Sequence, residues 1–205
     1  MGEVRFQLAI ILIKKGKMKV LSKKLSYVLR HDPQSIGIIL DSSGYCDVAE
    51  LIEKLSFDGT ETTFALIDET VQNDKKNRFS FNADKTKIRA NYGHSFPVDL
   101  EVKSVKPPDI LYHGTAKQSV NGILSGGIKK MKRNHVHLSD DYFIAYETGK
   151  RHGIPVVFEV NARKMMKDGY KFYHSGTVWL TESVPAKYIK LTEYIGNEEY
   201  KNERS

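Results

Sequence analysis

Pro33 imposes the first hard stop on this chain. Just before it, Leu21, Leu25, Val28 and Leu29 recur at i, i+4, i+7 and i+8, the spacing that lines one face of an α-helix. Proline cannot continue that helix and disfavours helical geometry at Asp32. The helix must therefore close on Leu29-Arg30-His31-Asp32, and Arg30 and His31 are expected to face outward together beside a forced turn. A planar guanidinium next to an imidazole of ordinary pKa ~6.5 suits a phosphate, because one grips two oxygens and the other carries a proton near neutrality. Cations at a helix C-terminus also answer the macrodipole. Both readings stay open on this stretch alone.

A chain of 205 residues can bury a real core in one domain or two. Hydrophobic residues at 40% and charged residues at 28% argue against a disordered or membrane-embedded class. The net charge of +7 is compatible with a polyanionic partner without requiring one. The lone Cys46 excludes an intrachain disulfide, fits a cytoplasmic setting, and reads as a packing residue between Tyr45 and Asp47. Near the N-terminus, the apolar run Leu8–Ile13 precedes Lys14, Lys15, Lys17 and Lys19, the reverse of a secretory signal's order. The run is also well short of the ~20 residues that span a bilayer. Residues 1–17 are therefore expected to form an extension, as a short strand or helix, with Met18 as a possible alternative start. No membrane partner is expected.

The first domain is expected over 18–104. Asp47 should cap a helix carrying Val48, Leu51, Ile52 and Leu55, and Thr62 or Thr63 should open another with Phe64, Ile67 and Val71 inward, ending before Asn73-Asp74. Phe79 and Phe81, then Ile88 and Ala90, alternate with polar residues around Asn82-Ala83-Asp84-Lys85 and read as a β-hairpin. Three helices and a hairpin follow the order of a winged-helix module, which often binds nucleic acid but is not defined by doing so. Lys75-Lys76-Asn77-Arg78 enters the hairpin, and Arg89 to Ser95 leaves it, with aromatic residues between the cations. Such patches can hold phosphates while rings stack on bases, or can simply be core and solvated turn.

Pro107-Pro108 marks the boundary, with a linker over 105–109 and a second domain over 110–195, then a polar tail over 196–205. Strand character at Ile110-Leu111-Tyr112 stops at His113-Gly114-Thr115, where a glycine would let the backbone approach a ligand. A short helix with Val120, Ile123 and Leu124 precedes the cations Lys129, Lys130, Lys132 and Arg133. His135, His137 and Ser139 then share one strand face. His113, His135 and His137 could bind zinc, but no Cys or carboxylate stands at ligand spacing, so no metal is expected. Asp140-Asp141 should cap the helix carrying Ala145 and Tyr146. Val156–Val160, Lys171–Tyr173 and Val178–Leu180 read as strands of an α+β domain.

Six motifs, in order, resemble one family: Arg30-His31-x-Pro33, Lys76-x-Arg78-Phe79, Ile88-Arg89-Ala90-x-x-Gly93-His94-Ser95, Tyr112-His113-Gly114-Thr115, Arg133-x-x-Val136-His137-Leu138-Ser139 and Val178-Trp179-Leu180-Thr181. From about Leu21 to Ile189 the chain is similar to RNA 2′-phosphotransferases of the KptA family. The resemblance implies an α+β protein with an N-terminal winged-helix RNA-binding lobe and a C-terminal ADP-ribosyltransferase-like NAD-binding lobe. It implies an enzyme that removes an internal RNA 2′-phosphate, such as one at a tRNA splice junction. The phosphate would attack the nicotinamide-bearing ribose carbon of NAD. The ribose 2″-hydroxyl would then attack phosphorus, giving 2′-hydroxyl RNA and ADP-ribose 1″,2″-cyclic phosphate.

By the same resemblance, Arg30, His31, Arg78 and Arg133 form the catalytic set. His113, Gly114, Thr115, His137, Ser139 and Val178 bind NAD, and Lys76, Arg89, His94 and Ser95 meet RNA or its phosphate. That activity needs no metal, and two linked lobes around one cleft can work as a monomer. One departure stands out: Tyr92 occupies a position where relatives usually carry Gln, and an extra ring there could alter RNA contacts while leaving the catalytic set untouched. Val178 stands where many protein-modifying ADP-ribosyltransferases place a glutamate, which argues against a protein target, although Glu182 is near. The alternatives are an ADP-ribosyltransferase acting on nucleic-acid ends or protein, and a non-enzymatic winged-helix binder.

Overall fold

The computed structural model describes residues 2–192 and divides the chain into two units, the first ending at Glu101 and the second beginning at Val102. The polar tail expected over 196–205 lies outside the described residues, as do residues 193–195 of the expected second domain.

In the first unit, α1 (Gly2–Arg30) ends where Pro33 requires. Leu21, Leu25, Val28 and Leu29 are all at most 1% exposed, so the apolar stripe is the inner face of the helix. Burying each such side chain contributes roughly 1.5–3 kcal/mol. Residues 2–17 are helical and continuous with α1, with no separate leading strand. Phe6, Leu8 and Ile10 to Ile13 are exposed on it. Asp32 caps a short 3-10 turn over Pro33–Ile36 by accepting the Ser35 amide.

β1 (Tyr45–Asp47) runs directly into α2 (Val48–Phe57), where the Asp47 carboxylate accepts the Glu50 amide. α3 (Phe64–Gln72) starts at a Thr63 cap and ends before Asn73-Asp74. The hairpin of β2 (Phe79–Phe81) and β3 (Lys87–Ala90) then pairs with β1, in the order β1-β3-β2. Sequence reading missed β1, because Tyr-Cys-Asp is too short to show alternation and its Asp already served as a cap. Cys46 packs in the core with Val48, Leu51, Leu55, Ile67, Phe79 and Ile88, and burial pushes its thiol up to about 12.

The second unit is built on β4 (Ile110–Ala116). It is followed by α4 (Val120–Gly126), β5 (Ile128–Lys129), β6 (Val136–Leu138), α5 (Tyr142–Gly149), β7 (Pro155–Asn161) and α6 (Ala162–Lys167). β8 (Tyr173–Ser175), β9 (Val178–Thr181), β10 (Ser183–Val184) and β11 (Ile189–Leu191) complete it. One antiparallel sheet has the order β11-β7-β4, another β6-β9-β8, and β10 pairs β5. The first two are joined where Tyr112 and Ser139 exchange both backbone hydrogen bonds, at 2.7 and 2.9 Å. Leu111, Val136, Leu138, Val160, Phe172 and Trp179 share the core beneath.

β4 does not stop at His113 as expected but runs through to Ala116, because β7 pairs with it along its full length. Gly114 also has a different reason from the one its position suggests. A Cβ there would stand 1.6 Å from the Ala145 carbonyl oxygen, so the close approach is made by the backbone of α5. Gly149 plays the reciprocal part, with a virtual Cβ 2.4 Å from the Thr115 carbonyl. Helix and strand lie directly on each other because neither has a side chain there. Taken together, the described residues are a mixed α+β protein, and no helix among them is long and apolar enough to cross a membrane.

Candidate active site

The C-terminal end of α1 carries the first cluster. Arg30 does not project into solvent as its helix end suggests. Its guanidinium lies 4.7 Å from the Tyr92 ring centroid and 5.8 Å from that of Phe79, with Nη2 3.5 Å from the Arg78 carbonyl. Cation–π placement of this kind orients the fork without neutralising it. Gly93 packs beside it, where a Cβ would stand 3.5 Å from Arg30 Nη1 in ordinary contact, so its φ of +89 and not crowding calls for glycine. His31 is exposed, and its Nδ1 lies 3.3 Å from Ser95 Oγ.

Tyr92 itself is buried, and its hydroxyl donates to the Lys76 carbonyl at 2.8 Å. The ring is therefore a plate beneath Arg30, one of the four residues expected to be catalytic.

Arg78 is held by a residue that sequence reading passed over as a helix terminus. The Asp74 carboxylate accepts from Arg78 Nε at 3.1 Å, from Nη2 at 2.9 Å and from the Arg78 amide at 2.6 Å. Burial alone would raise the Asp74 pKa, but these hydrogen bonds and the Arg78 charge hold it below the usual carboxylate range. The acid four residues before the arginine was the signal available in the sequence. Lys76 is exposed at the same bend.

The remaining first-unit candidates are placed differently. Arg89 stacks 4.6 Å from the Tyr45 ring centroid and bonds the Ser43 carbonyl, with Glu101 3.7 Å away. His94 is 1% exposed, so its side chain presents nothing to a ligand in this arrangement. Burial, followed by the charges of Arg30, His31 and Arg89, lowers its pKa to about 4. Ser95 is exposed, and its amide donates to the Arg30 carbonyl at 2.9 Å.

In the second unit, the seam between β4 and β6 gathers the rest. His113 Nδ1 lies 3.2 Å from the His137 carbonyl. A carbonyl accepts only, so Nδ1 carries the proton and Nε2 keeps the lone pair in the neutral ring. Burial lowers the His113 pKa, outweighing the bond to His137, and so favours that neutral form. Arg133 Nη1 lies 2.7 Å from His137 Nδ1, which must accept because a guanidinium can only donate. Ser139 is buried, and its hydroxyl accepts the Asp141 amide, placing it at the foot of α5, where Asp141 caps the helix. Thr115 stands two residues beyond His113 on the same strand face, and Val178 opens β9, half-buried. Glu182 is paired with Lys130. Among the described residues no three His, Cys, Asp or Glu side chains converge as a metal-ligand set.

Comparison with known proteins adds to this geometry. Residues 16–183 match the model of the family described as RNA 2′-phosphotransferase, Tpt1 / KptA family. A probable RNA 2′-phosphotransferase of Flavobacterium johnsoniae is 48% identical over 174 residues, covering 84% of this chain and 96% of that one. A probable RNA 2′-phosphotransferase of Fusobacterium nucleatum is 48% identical over 173 residues, 83% of this chain and 97% of its own. One from Acaryochloris marina is 44% identical over 178 residues, covering 86% and 98%. A family model spanning most of the chain, with relatives matched almost end to end, leads to one conclusion: the chain belongs to the RNA 2′-phosphotransferase (Tpt1/KptA) family of transferases.

Proposed function

We propose that the chain transfers an internal RNA 2′-phosphate, as at a tRNA splice junction, to NAD, leaving a 2′-hydroxyl and releasing nicotinamide and ADP-ribose 1″,2″-cyclic phosphate. The observation that carries this reading is the cluster at the end of α1. There an aromatic plate aims Arg30, a buried carboxylate aims Arg78, and His31 stands beside them. A phosphate monoester carries about −1.5 to −2 charges. Phosphoryl chemistry is helped chiefly by positioned positive charge, which arginine supplies at any working pH.

In this reading Arg30, His31, Arg78 and Arg133 are the catalytic set. The arginines hold phosphate oxygens, and His31 moves the proton. Lys76 adds charge for RNA or its phosphate.

The β4–β6 seam fits a nucleotide. His113 is neutral, with Nε2 as the acceptor of its ring, suited to a ribose hydroxyl; Thr115 and Ser139 add hydroxyls, and Gly114, His137 and Val178 complete the set. NAD, when bound, supplies the ribose carbon that takes the phosphate. The order α1-β1-α2-α3-β2-β3 supports a winged-helix reading of the first unit, and the second is read as an ADP-ribosyltransferase-like lobe. The enzyme is read as a cytoplasmic monomer that needs no metal.

The test is a short RNA with one internal 2′-phosphate, incubated with and without NAD and followed by mass spectrometry. Loss of the phosphate only with NAD, together with the cyclic phosphate product, is expected. An RNA that keeps an ADP-ribose adduct would favour an ADP-ribosyltransferase. No change in folded protein would overturn the proposal and leave a binding module.

A further inference from the structure

We infer that Ser95 is a positioning residue which fixes the tautomer of His31, so that proton exchange is confined to Nε2 of that ring. The argument follows from counting protons. The Ser95 hydroxyl oxygen lies 3.2 Å from the Arg30 carbonyl and 3.3 Å from His31 Nδ1. A hydroxyl has one proton and two lone pairs, whereas a carbonyl has no proton to give. The Ser95 hydroxyl therefore donates to Arg30, and its remaining capacity is to accept. His31 Nδ1 must then be the donor in this contact.

In the neutral ring the lone pair consequently sits on Nε2, and in the cation both nitrogens carry protons. The Nδ1–H···Oγ bond is the same in both states. Gain and loss of the proton thus occur at Nε2 without rearranging the support. The ring's partner sets which nitrogen titrates, as is general for histidine.

The support is itself anchored. The Ser95 amide donates to the same Arg30 carbonyl at 2.9 Å, so backbone and side chain of one residue both close on the last turn of α1. Gly93 lies against the Arg30 guanidinium two residues earlier, and buried His94 fixes the segment between. From the helix side, the His31 amide is tied to the Tyr27 carbonyl at 2.9 Å, and the Tyr27 ring lies 6.5 Å from the imidazole. The segment leaving β3 thereby acts on the proposed proton carrier, which is a different part from meeting RNA directly.

What His31 acts upon rests on the phosphotransferase reading, but the tautomer does not. The first measurement is therefore made on the full-length protein without RNA or NAD. Nitrogen-15 spectra of the imidazoles, with His31 assigned through a His31→Gln control, are expected to show Nδ1 protonated and Nε2 bare above the ring's pKa. Ser95→Ala should lose that preference, and Ser95→Thr, which keeps the hydroxyl, should retain it. In the RNA assay, Ser95→Ala should lower kcat by about tenfold or more, within the ~10²–10⁴-fold contributed by a positioned acid–base group. KM should stay within about twofold, and Ser95→Thr should restore the rate.

A wild-type His31 protonated on Nε2 would overturn the inference. So would a Ser95→Ala protein that raises KM at unchanged kcat, since that marks a direct RNA contact. If the wild-type protein removes no phosphate, the functional reading fails while the spectra still decide the tautomer.

Discussion

Acidifying the protein should destabilise its first unit through His94, by an amount that can be worked out. The ring is 1% exposed and faces the positive charges of Arg30, His31 and Arg89, so its folded pKa is about 4. In the unfolded chain it returns to ~6.5. Between those values the unfolded state binds a proton that the folded state refuses. The stabilisation is therefore complete above about pH 6.5 and is lost as the pH falls toward 4. The limiting slope is about 1.4 kcal/mol per pH unit, and the whole loss is about 3 kcal/mol, a large share of the ~5–15 kcal/mol that holds a typical domain together.

Urea titrations of the full chain at a series of pH values measure this. Far-UV circular dichroism is weighted toward the first unit, which holds the 29-residue α1. Trp179, the sole tryptophan, reports the second unit by fluorescence. His113 and His135 are also lowered by burial, so the second unit should soften in the same direction, and the two signals must be compared separately. His94→Leu removes the titrating ring and its Nε2, which has no hydrogen-bond partner among the described residues. The variant should lose about one proton's worth of slope in the first-unit signal. If wild type and variant weaken in parallel between about pH 6.5 and 4, the buried-histidine argument is wrong.

Asp74→Ala should destabilise the first unit by about 3–5 kcal/mol, because it strands Arg78 beside an empty position. Asp74→Asn, measured for phosphate removal under conditions where it remains folded, should lose activity more than it loses RNA binding. Gly114→Ala forces a Cβ to within 1.6 Å of the Ala145 carbonyl, so a midpoint shift at or above the ~3 kcal/mol end of overpacking costs is expected in the Trp179 signal. Cys46, with its thiol raised to about 12, should stay unreactive toward a thiol reagent near neutral pH until urea opens the core; fast labelling of folded protein would contradict its burial. Dialysis against a chelator should leave RNA 2′-phosphate removal unchanged if the metal-free reading is right.

Periodicity carried the helical skeleton of the first unit. The stripes on α1, α2 and α3 are long enough to show a period, and Asp47, Thr63 and Asp141 act as caps where the sequence indicated. Very short strands escaped: β1, β5 and β10 have two or three residues, and pairing creates them where local pattern cannot reveal them. Motifs brought out the cationic and imidazole side chains that surround the two candidate clusters. They said nothing about direction. Arg30 turns inward because Tyr92 and Phe79 offer faces to it, and His94 is enclosed although its motif suggested a ligand contact. At Gly114 the close neighbour is the Ala145 carbonyl of α5, a partner distant in the sequence that composition at Gly114 cannot name. Asp74 was passed over because a carboxylate after a helix usually means a turn.

Tyr92 gives this cluster a mechanical property. Its ring carries Arg30, while its hydroxyl grips the Lys76 carbonyl in the bend that Asp74 also clasps through the Arg78 amide. The end of α1 and the entrance to the hairpin are thereby bolted to one aromatic plate. A push on the bend at Lys76 is passed to Arg30 through a stiff ring, without the slack of a long flexible side chain. Arg30 and the bend from Lys76 to Arg78 should consequently move together, as one lever, whenever a polyanion loads either end.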